Sequence, residues 1–146
     1  MECLNCGAAL RLKKRAALEG SYGGETFAVR ATAMACPDCK YATVAAGNLD
    51  EYARAVADAY RVKHRRLTSA QLVAARARLG MSQRRFAAYL GVGEASVKRW
   101  ELGKVQDKAM DELVRLKTQA AYAAKNHAFL RATLSPASGA RPRSSL

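Results

Sequence analysis

Hydrophobic and polar positions along the 146-residue chain change their period near residue 48. Before it, Leu10, Leu12 and Leu18 lie in one basic, extended run, and Thr26-Phe27-Ala28-Val29-Arg30-Ala31-Thr32 alternates in another. Period-two alternation predicts two strands, with Ser21-Tyr22-Gly23-Gly24 as the turn between them. Tyr41-Ala42-Thr43-Val44 predicts a short third strand, stopped by Gly47-Asn48. Beyond it Leu49, Tyr52, Ala53, Val56 and Tyr60 recur at helical spacing, and Asn48 with Glu51 has the form of a capping box. This helix is expected to run to about His64, where Lys63-His64-Arg65-Arg66 forms a charge run. Residues 62–67 read as a connection between two domains, with a kinked continuous helix as the alternative.

From Thr68 onward the pattern is helical throughout. Thr68 with Gln71 starts a helix that stops at Gly80, Ser82 caps another that stops at Gly91, and a third spans Glu94 to just before Gly103. A fourth starts at Asp107 and runs through Met110, Leu113 and Leu116; whether it breaks between Tyr122 and Asn126 into a fifth is left open by the pattern. Ser135–Leu146, rich in Ser, Pro, Gly and Arg, reads as a disordered basic tail. The expected fold class is α+β: short antiparallel strands plus a helix, followed by an all-α domain.

The four cysteines stand as Cys3-x2-Cys6 and Cys36-x2-Cys39. A two-residue gap lets both sulfurs of a knuckle turn onto one ion, and thiolates are soft ligands whose charge Zn2+ neutralises. Gly7 frees the backbone to curl so that amide N–H groups point at sulfur, and Pro37 pre-sets a turn in the second knuckle. The intervening stretch exceeds the common spacing of roughly 15–20 residues, leaving room for a larger hairpin. Four thiolates close the coordination shell, so one structural Zn2+ is expected rather than a catalytic one. A ribbon this small holds little core, and the metal would supply much of its folding free energy. Four free thiols or a redox dithiol account less well for two paired knuckles with no other cysteine.

Charge changes the picture of the second half. The formal net charge is +13, and residues 67–134 carry twelve basic side chains against five acidic ones. That excess predicts a polyanionic partner, nucleic acid ahead of a membrane surface. The apolar stretches are Ala-rich and interrupted by Arg or Asp, so no membrane span is expected. Met1-Glu2-Cys3 lacks a leader pattern, which predicts a cytoplasmic location, at the nucleoid when DNA is bound. In that reducing setting paired cysteines favour metal over disulfides.

Within this basic half, Phe86, Ala87 and Leu90 are expected to face inward, Gly91 to make a sharp turn, and Val92 to plug the core beneath it. The next helix then buries Val97 and Trp100 and turns Glu94, Ala95, Lys98 and Arg99 outward. In such an arrangement the second helix can enter the DNA major groove. Arg99 can donate twice to guanine O6/N7, Glu94 can accept from cytosine N4 or cap its helix, and Ser96 can bond a base edge or a phosphate. Gln83 is placed to hold a phosphate and brace the second helix. Arg84, Arg85, Lys98 and Lys104 fit phosphate contacts, which give affinity and salt dependence without sequence choice. A small helical bundle with a solvated basic face is the plain alternative.

Residues 68–117 resemble the Xre/Cro-type helix-turn-helix, through Ser82-Gln83, Ala87, Leu90-Gly91-Val92 and the terminal Trp100-Glu101-Leu102-Gly103. Joined to the Cys3/Cys6/Cys36/Cys39 ribbon, the chain up to about residue 120 looks like the MqsA-type (YgiT-type) zinc-finger/helix-turn-helix antitoxins. The resemblance implies a zinc domain that binds a ribonuclease toxin and a C-terminal domain that dimerises on a palindromic operator and represses it. In that family an Asn and an Arg of the recognition helix read bases. Arg99 matches the Arg, whereas Ala95 stands where the Asn is expected, so a different operator sequence is implied.

The expected division is residues 1–61 as a toxin-binding ribbon domain, 62–67 as linker, 68–134 as the DNA-binding and dimerisation domain, and 135–146 as the tail. A free-standing zinc-containing regulator without a toxin is the alternative, and a ribbon protein binding RNA or ribosomes is a third. An enzyme is not expected, since His64 and His127 are the only histidines and neither sits in a nucleophilic constellation. A homodimer is expected because one short helix reads only a half-site. Residues 107–120 with Tyr122, Phe129 and Leu130 are its expected surface, with core packing of the same side chains as the alternative.

Overall fold

The computed structural model describes residues 1–134, so the tail expected at 135–146 lies outside the described residues. Strands β1 (Arg11–Tyr22), β2 (Glu25–Ala35) and β3 (Ala42–Thr43) are followed by a 3-10 turn at Ala46–Asn48. Six helices follow: α1 (Leu49–Lys63), α2 (Ser69–Arg78), α3 (Gln83–Leu90), α4 (Glu94–Leu102), α5 (Lys108–Thr118) and α6 (Ala120–Leu134). The strands form one antiparallel sheet in the order β1-β2-β3. The α+β class expected from the alternating and helical periods is the one found.

The hairpin is longer and its turn tighter than the alternation implied. Ser21 and Tyr22 belong to β1, and Gly23-Gly24 alone reverse the chain with φ of 58° and 78°. A two-residue turn with positive φ at both positions matches the right-handed twist of the strands. The register pairs Lys13 with Ala33 but Ala16 with Ala31, a bulge that leaves Thr32 without a strand partner. Its N–H turns instead to Glu51 Oε1 at 2.9 Å, and its hydroxyl donates to the same oxygen at 3.2 Å. Glu51 is therefore engaged by β2, and Asn48 makes no side-chain capping bond to α1. A tertiary acceptor displaces the local box that the spacing of the two residues implied.

Helix α1 lies on the sheet through small residues. Ala16, Ala31 and Ala33 are buried with Val29 on one side, and Val56 and Ala57 on the other. Gly20 marks the closest approach: a Cβ there would stand 2.3 Å from Val56 Cγ2 and 2.7 Å from the Tyr52 hydroxyl. Tyr52 Oη donates to the Glu19 carbonyl at 2.6 Å. At the hairpin tip the Glu25 carboxylate accepts from Lys63 Nζ and lies 2.5 Å from His64 Nε2. These two partners hold its carboxyl below the ordinary 4.5.

The helices enclose a second core of Leu67, Leu72, Phe86, Ala87, Leu90, Val97, Trp100 and Val114, with Met81, Val92, Met110 and Leu113 packed against it. Their ends follow the sequence signals closely. Thr68 and Gln71 form a reciprocal capping box, while Ser82 and Asp107 accept from Arg85 N and Met110 N. Gly91 adopts the left-handed conformation (φ 78°), which lets its N–H return to Ala87 O and turns the chain toward Val92. The helical run breaks at Gln119, whose φ and ψ of −119° and 103° are extended. Residues 62–67 comprise the end of α1, a left-handed Arg65 (φ 55°) and Leu67, which is buried in the helical core.

Two outcomes are expected in thermal unfolding. Gly20→Ala should cost about 1–3 kcal/mol by overpacking the sheet–α1 interface, with an unchanged midpoint counting against this packing. The Glu25 contribution should be present above pH 4.5 and lost as pH falls below it, because its carboxyl is harder to protonate in the fold. Glu25→Gln should flatten that part of the stability–pH curve.

Candidate functional site

The long hairpin brings the two cysteine knuckles together. Arg11 pairs with Ala35 at its open end, so Cys3 and Cys6 just before β1 meet Cys36 and Cys39 just after β2. Each knuckle is folded by its own backbone. Gly7 N–H bonds Cys3 O at 2.9 Å with Gly7 at φ 78°, and Cys36 N–H bonds Tyr41 O at 2.8 Å. Amides of Asn5, Asp38 and Tyr41 point at the sulfurs of Cys3, Cys36 and Cys39 at 3.4, 3.4 and 3.5 Å.

Cys3 Sγ lies 3.5 Å from Cys39 Sγ, and Cys6 Sγ lies 3.4 Å from Cys36 Sγ and 3.9 Å from Cys39 Sγ. All four sulfurs fall within 4.8 Å of one another. A tetrahedral shell with metal–sulfur bonds of ~2.3 Å has sulfur–sulfur edges of ~3.8 Å. The cluster therefore matches the shell of one metal ion in size. Its ionisation points the same way. Burial opposes the charge on Cys3, but the amides of Asn5 and Cys6 and the neighbouring thiols outweigh it and hold Cys3 down to about 7. Cys6 gains from the Ala8 amide, yet the sulfurs of Cys36 and Cys3 push it up to about 12. Cys3 and Cys6 are thus driven in opposite directions by the same neighbouring sulfurs, a crowding of thiolate charge that a bound cation would relieve.

The second candidate surface is the outer side of α4. Ala95, Lys98 and Arg99 are exposed there, while Glu94 and Ser96 are half-buried near the helix start. Glu94 Oε1 pairs with Lys98 Nζ at 3.2 Å one turn on, and Gly93 occupies the capping position without a side-chain bond. Val97 and Trp100 point into the core. Arg84 and Arg85 are exposed on α3, and Lys104 follows α4. Among the described residues, the side chains of Arg84, Arg85, Arg99 and Lys104 enter no ion pair.

Gln83 bonds to α4 through Glu101, a partner that sequence reasoning missed. Its Nε2 donates to Glu101 Oε2 at 2.6 Å, and Arg76 grips the same carboxylate through Nε at 2.8 Å and Nη2 at 3.2 Å. Arg76 also donates to Met81 O at 3.1 Å, tying the end of α2 to the start of α3. The second missed residue is Arg61, fully buried beside the end of α4. The available signal was its phase, four residues after Ala57 on the inward stripe of α1.

The family described as the antitoxin component of bacterial toxin–antitoxin systems, MqsA, matches residues 1–121. The chain belongs to the MqsA antitoxin family. The match spans both the cysteine cluster and α4, and it ends at the second residue of α6. No curated protein matches the chain in direct comparison. Among the described residues no helix is long and apolar enough to cross a membrane.

A metal at the MqsA-family cysteine cluster should be removable. One ion per chain is expected, with the four thiols unreactive until a chelator strips it, after which the hairpin unfolds and the α2–α5 helices persist. Rapid thiol labelling of metal-loaded protein would count against the site.

Proposed function

We propose that this chain is the antitoxin of a type II toxin–antitoxin pair: it neutralises a ribonuclease toxin and represses its own operator as a homodimer. One observation carries the reading: a closed four-cysteine cluster is joined to a cation-bearing α4 in a chain matched over residues 1–121 by the MqsA family. The ion we assign is one structural Zn2+ on Cys3, Cys6, Cys36 and Cys39, because an all-thiolate tetrahedral donor set favours it and leaves no open position. The toxin docks on residues 1–61, residues 62–67 connect, and residues 68–134 bind DNA and dimerise.

In this reading α3 and α4 are a helix-turn-helix with α4 in the major groove. Arg99 reads guanine, Glu94 reaches cytosine N4 when Lys98 turns to a phosphate, Ser96 bonds a base edge, and the Ala95 methyl meets a thymine methyl. Gln83, Arg84, Arg85, Lys98 and Lys104 hold phosphates, and the net charge of +13 supports a polyanionic partner.

Fluorescence anisotropy on a duplex carrying the chain's own promoter tests the DNA half. Arg99→Ala should lose about 5- to 150-fold in affinity (1–3 kcal/mol) and relax discrimination at one position per half-site. Lys98→Ala should weaken specific and random duplexes alike and lower the salt slope by about 1. Equal affinity of the unmodified chain for promoter and random DNA would sink this half. For the toxin half, co-expression with the neighbouring gene product should recover a small stoichiometric partner. Its absence would leave a free-standing zinc regulator.

A further inference from the structure

The end of α4 is held from the ribbon side. Arg61, in the last turn of α1, is 0% exposed, and its guanidinium has four partners. Nη2 donates to the carbonyls of Trp100 at 2.7 Å and Lys104 at 3.0 Å, Nε to Gln106 Oε1 at 3.0 Å, and Nη1 to Asp58 Oδ1 at 2.9 Å. The Trp100 carbonyl belongs to the last turn of α4, where carbonyls lack helical partners and carry the negative end of the dipole. A guanidinium is suited to that position: it is always charged and presents donors in a fixed fork.

Two further contacts reach the same loop independently. Gly103 sits so close to α1 that a Cβ there would stand 3.1 Å from the Ala53 carbonyl carbon and the Arg54 nitrogen, with φ already at 122°. The Val105 N–H donates to the Tyr22 hydroxyl at 2.9 Å, so the tip of the hairpin also holds the loop after α4. Two domains joined by a few residues are expected to move relative to each other unless their interface is extensive. A buried charge with all its acceptors drawn from both sides resists that motion, because separation would leave the guanidinium and the carbonyls unpaired.

We infer that Arg61 is a positioning residue for DNA reading: it locks the cysteine ribbon, α1 and α4 into one rigid body, so the attitude of α4 is set from the ribbon side. The inference rests on the reading of α4 as the DNA-contacting helix. Its consequence is specific. A partner gripping the hairpin holds α4 in a fixed direction, and loosening the ribbon loosens base reading more than it loosens phosphate binding.

The test uses the full, metal-loaded chain. In 15N relaxation without DNA, amides of β1–β2 and of α2–α5 should report one correlation time, and Arg61→Met should split it into two. On the promoter duplex Arg61→Met should lose roughly tenfold in affinity, a typical size for a displaced coupling contact. Random-sequence affinity and the salt slope should stay as they were, a split that general loss of stability would not give. Arg61→Lys should restore part of the preference, since an ammonium supplies charge without the fork. If Arg61→Met does not fold, Gly103→Ala and Tyr22→Phe, which attack the same joint without orphaning a buried charge, should show the same split in smaller measure.

Two correlation times in the unmodified chain would overturn the inference. So would folded variants that keep promoter preference within about twofold. Failure of the unmodified chain to prefer its promoter, with one correlation time intact, would overturn the DNA reading and the positioning role while leaving the rigid joint standing.

Discussion

A buried polar network centred on Arg61, Gln106 and Asp111 ties the helices to one another and to the ribbon. Gln106 accepts from Arg61 and donates to the Leu67 carbonyl at 2.8 Å and to Asp111 Oδ1 at 3.0 Å. Asp111 accepts in turn from the Leu67 amide at 2.8 Å and from Arg115 at 2.8 Å, and Arg115 reaches the Arg65 carbonyl at 3.0 Å. Asp58 joins Arg61 to the first turn of α2 through Ser69 N at 2.8 Å. In low dielectric each bond is strong, and each member removed leaves a costly orphan. Among the described residues no buried side-chain polar atom lacks a partner. The connection after α1 is therefore threaded into the polar centre of the helical core, and its left-handed Arg65 is held by the bonds on either side.

The ribbon has the opposite problem, too little interior. Its apolar cluster at the cysteines consists of Cys3, Leu10 and Cys36, with Ala8, Met34, Cys39 and Tyr41 against them. So few side chains supply little hydrophobic free energy, and small domains depend on metals or docking to make up the difference. Here both devices are visible: four sulfurs placed for one ion at one end of the hairpin, and α1 covering one face of the sheet. The small residues Ala16, Gly20, Ala31 and Ala33 are what let α1 approach closely enough to do so.

Local chemistry made much of this legible in the sequence. Cap residues Thr68, Ser82 and Asp107, the turn at Gly91, and the inward phase of Phe86, Leu90, Val97 and Trp100 all stand where their spacing predicts, because each acts within one or two helical turns. The paired cysteines were legible for the same reason: the knuckle is a local motif, and only the hairpin register was needed to bring two of them together. What was hidden is polar and long-range. Glu51 reaches back 19 residues to Thr32, Glu101 reaches 25 to Arg76, and Arg61 reaches 45 to Gln106. Hydrophobic period is blind to such pairs, and a charged residue on an inward stripe is the one trace they leave.

The character of the outer face of α4 follows from what the helix buries. Glu101 stands in its last turn, where the dipole disfavours an acid, and only the bidentate Arg76 and the Gln83 amide make it tolerable there. That acid is directed inward and neutralised, and Glu94 is offset by Lys98, so Arg99 stands on the exposed face with its charge uncompensated. Ala95 contributes no hydrogen-bonding group to this face. If α4 reads DNA, directional base contacts fall on Arg99, Glu94 and Ser96 alone. Discrimination by so few directional groups depends on how closely the helix is aimed, and therefore on the joint that fixes its C-terminal end.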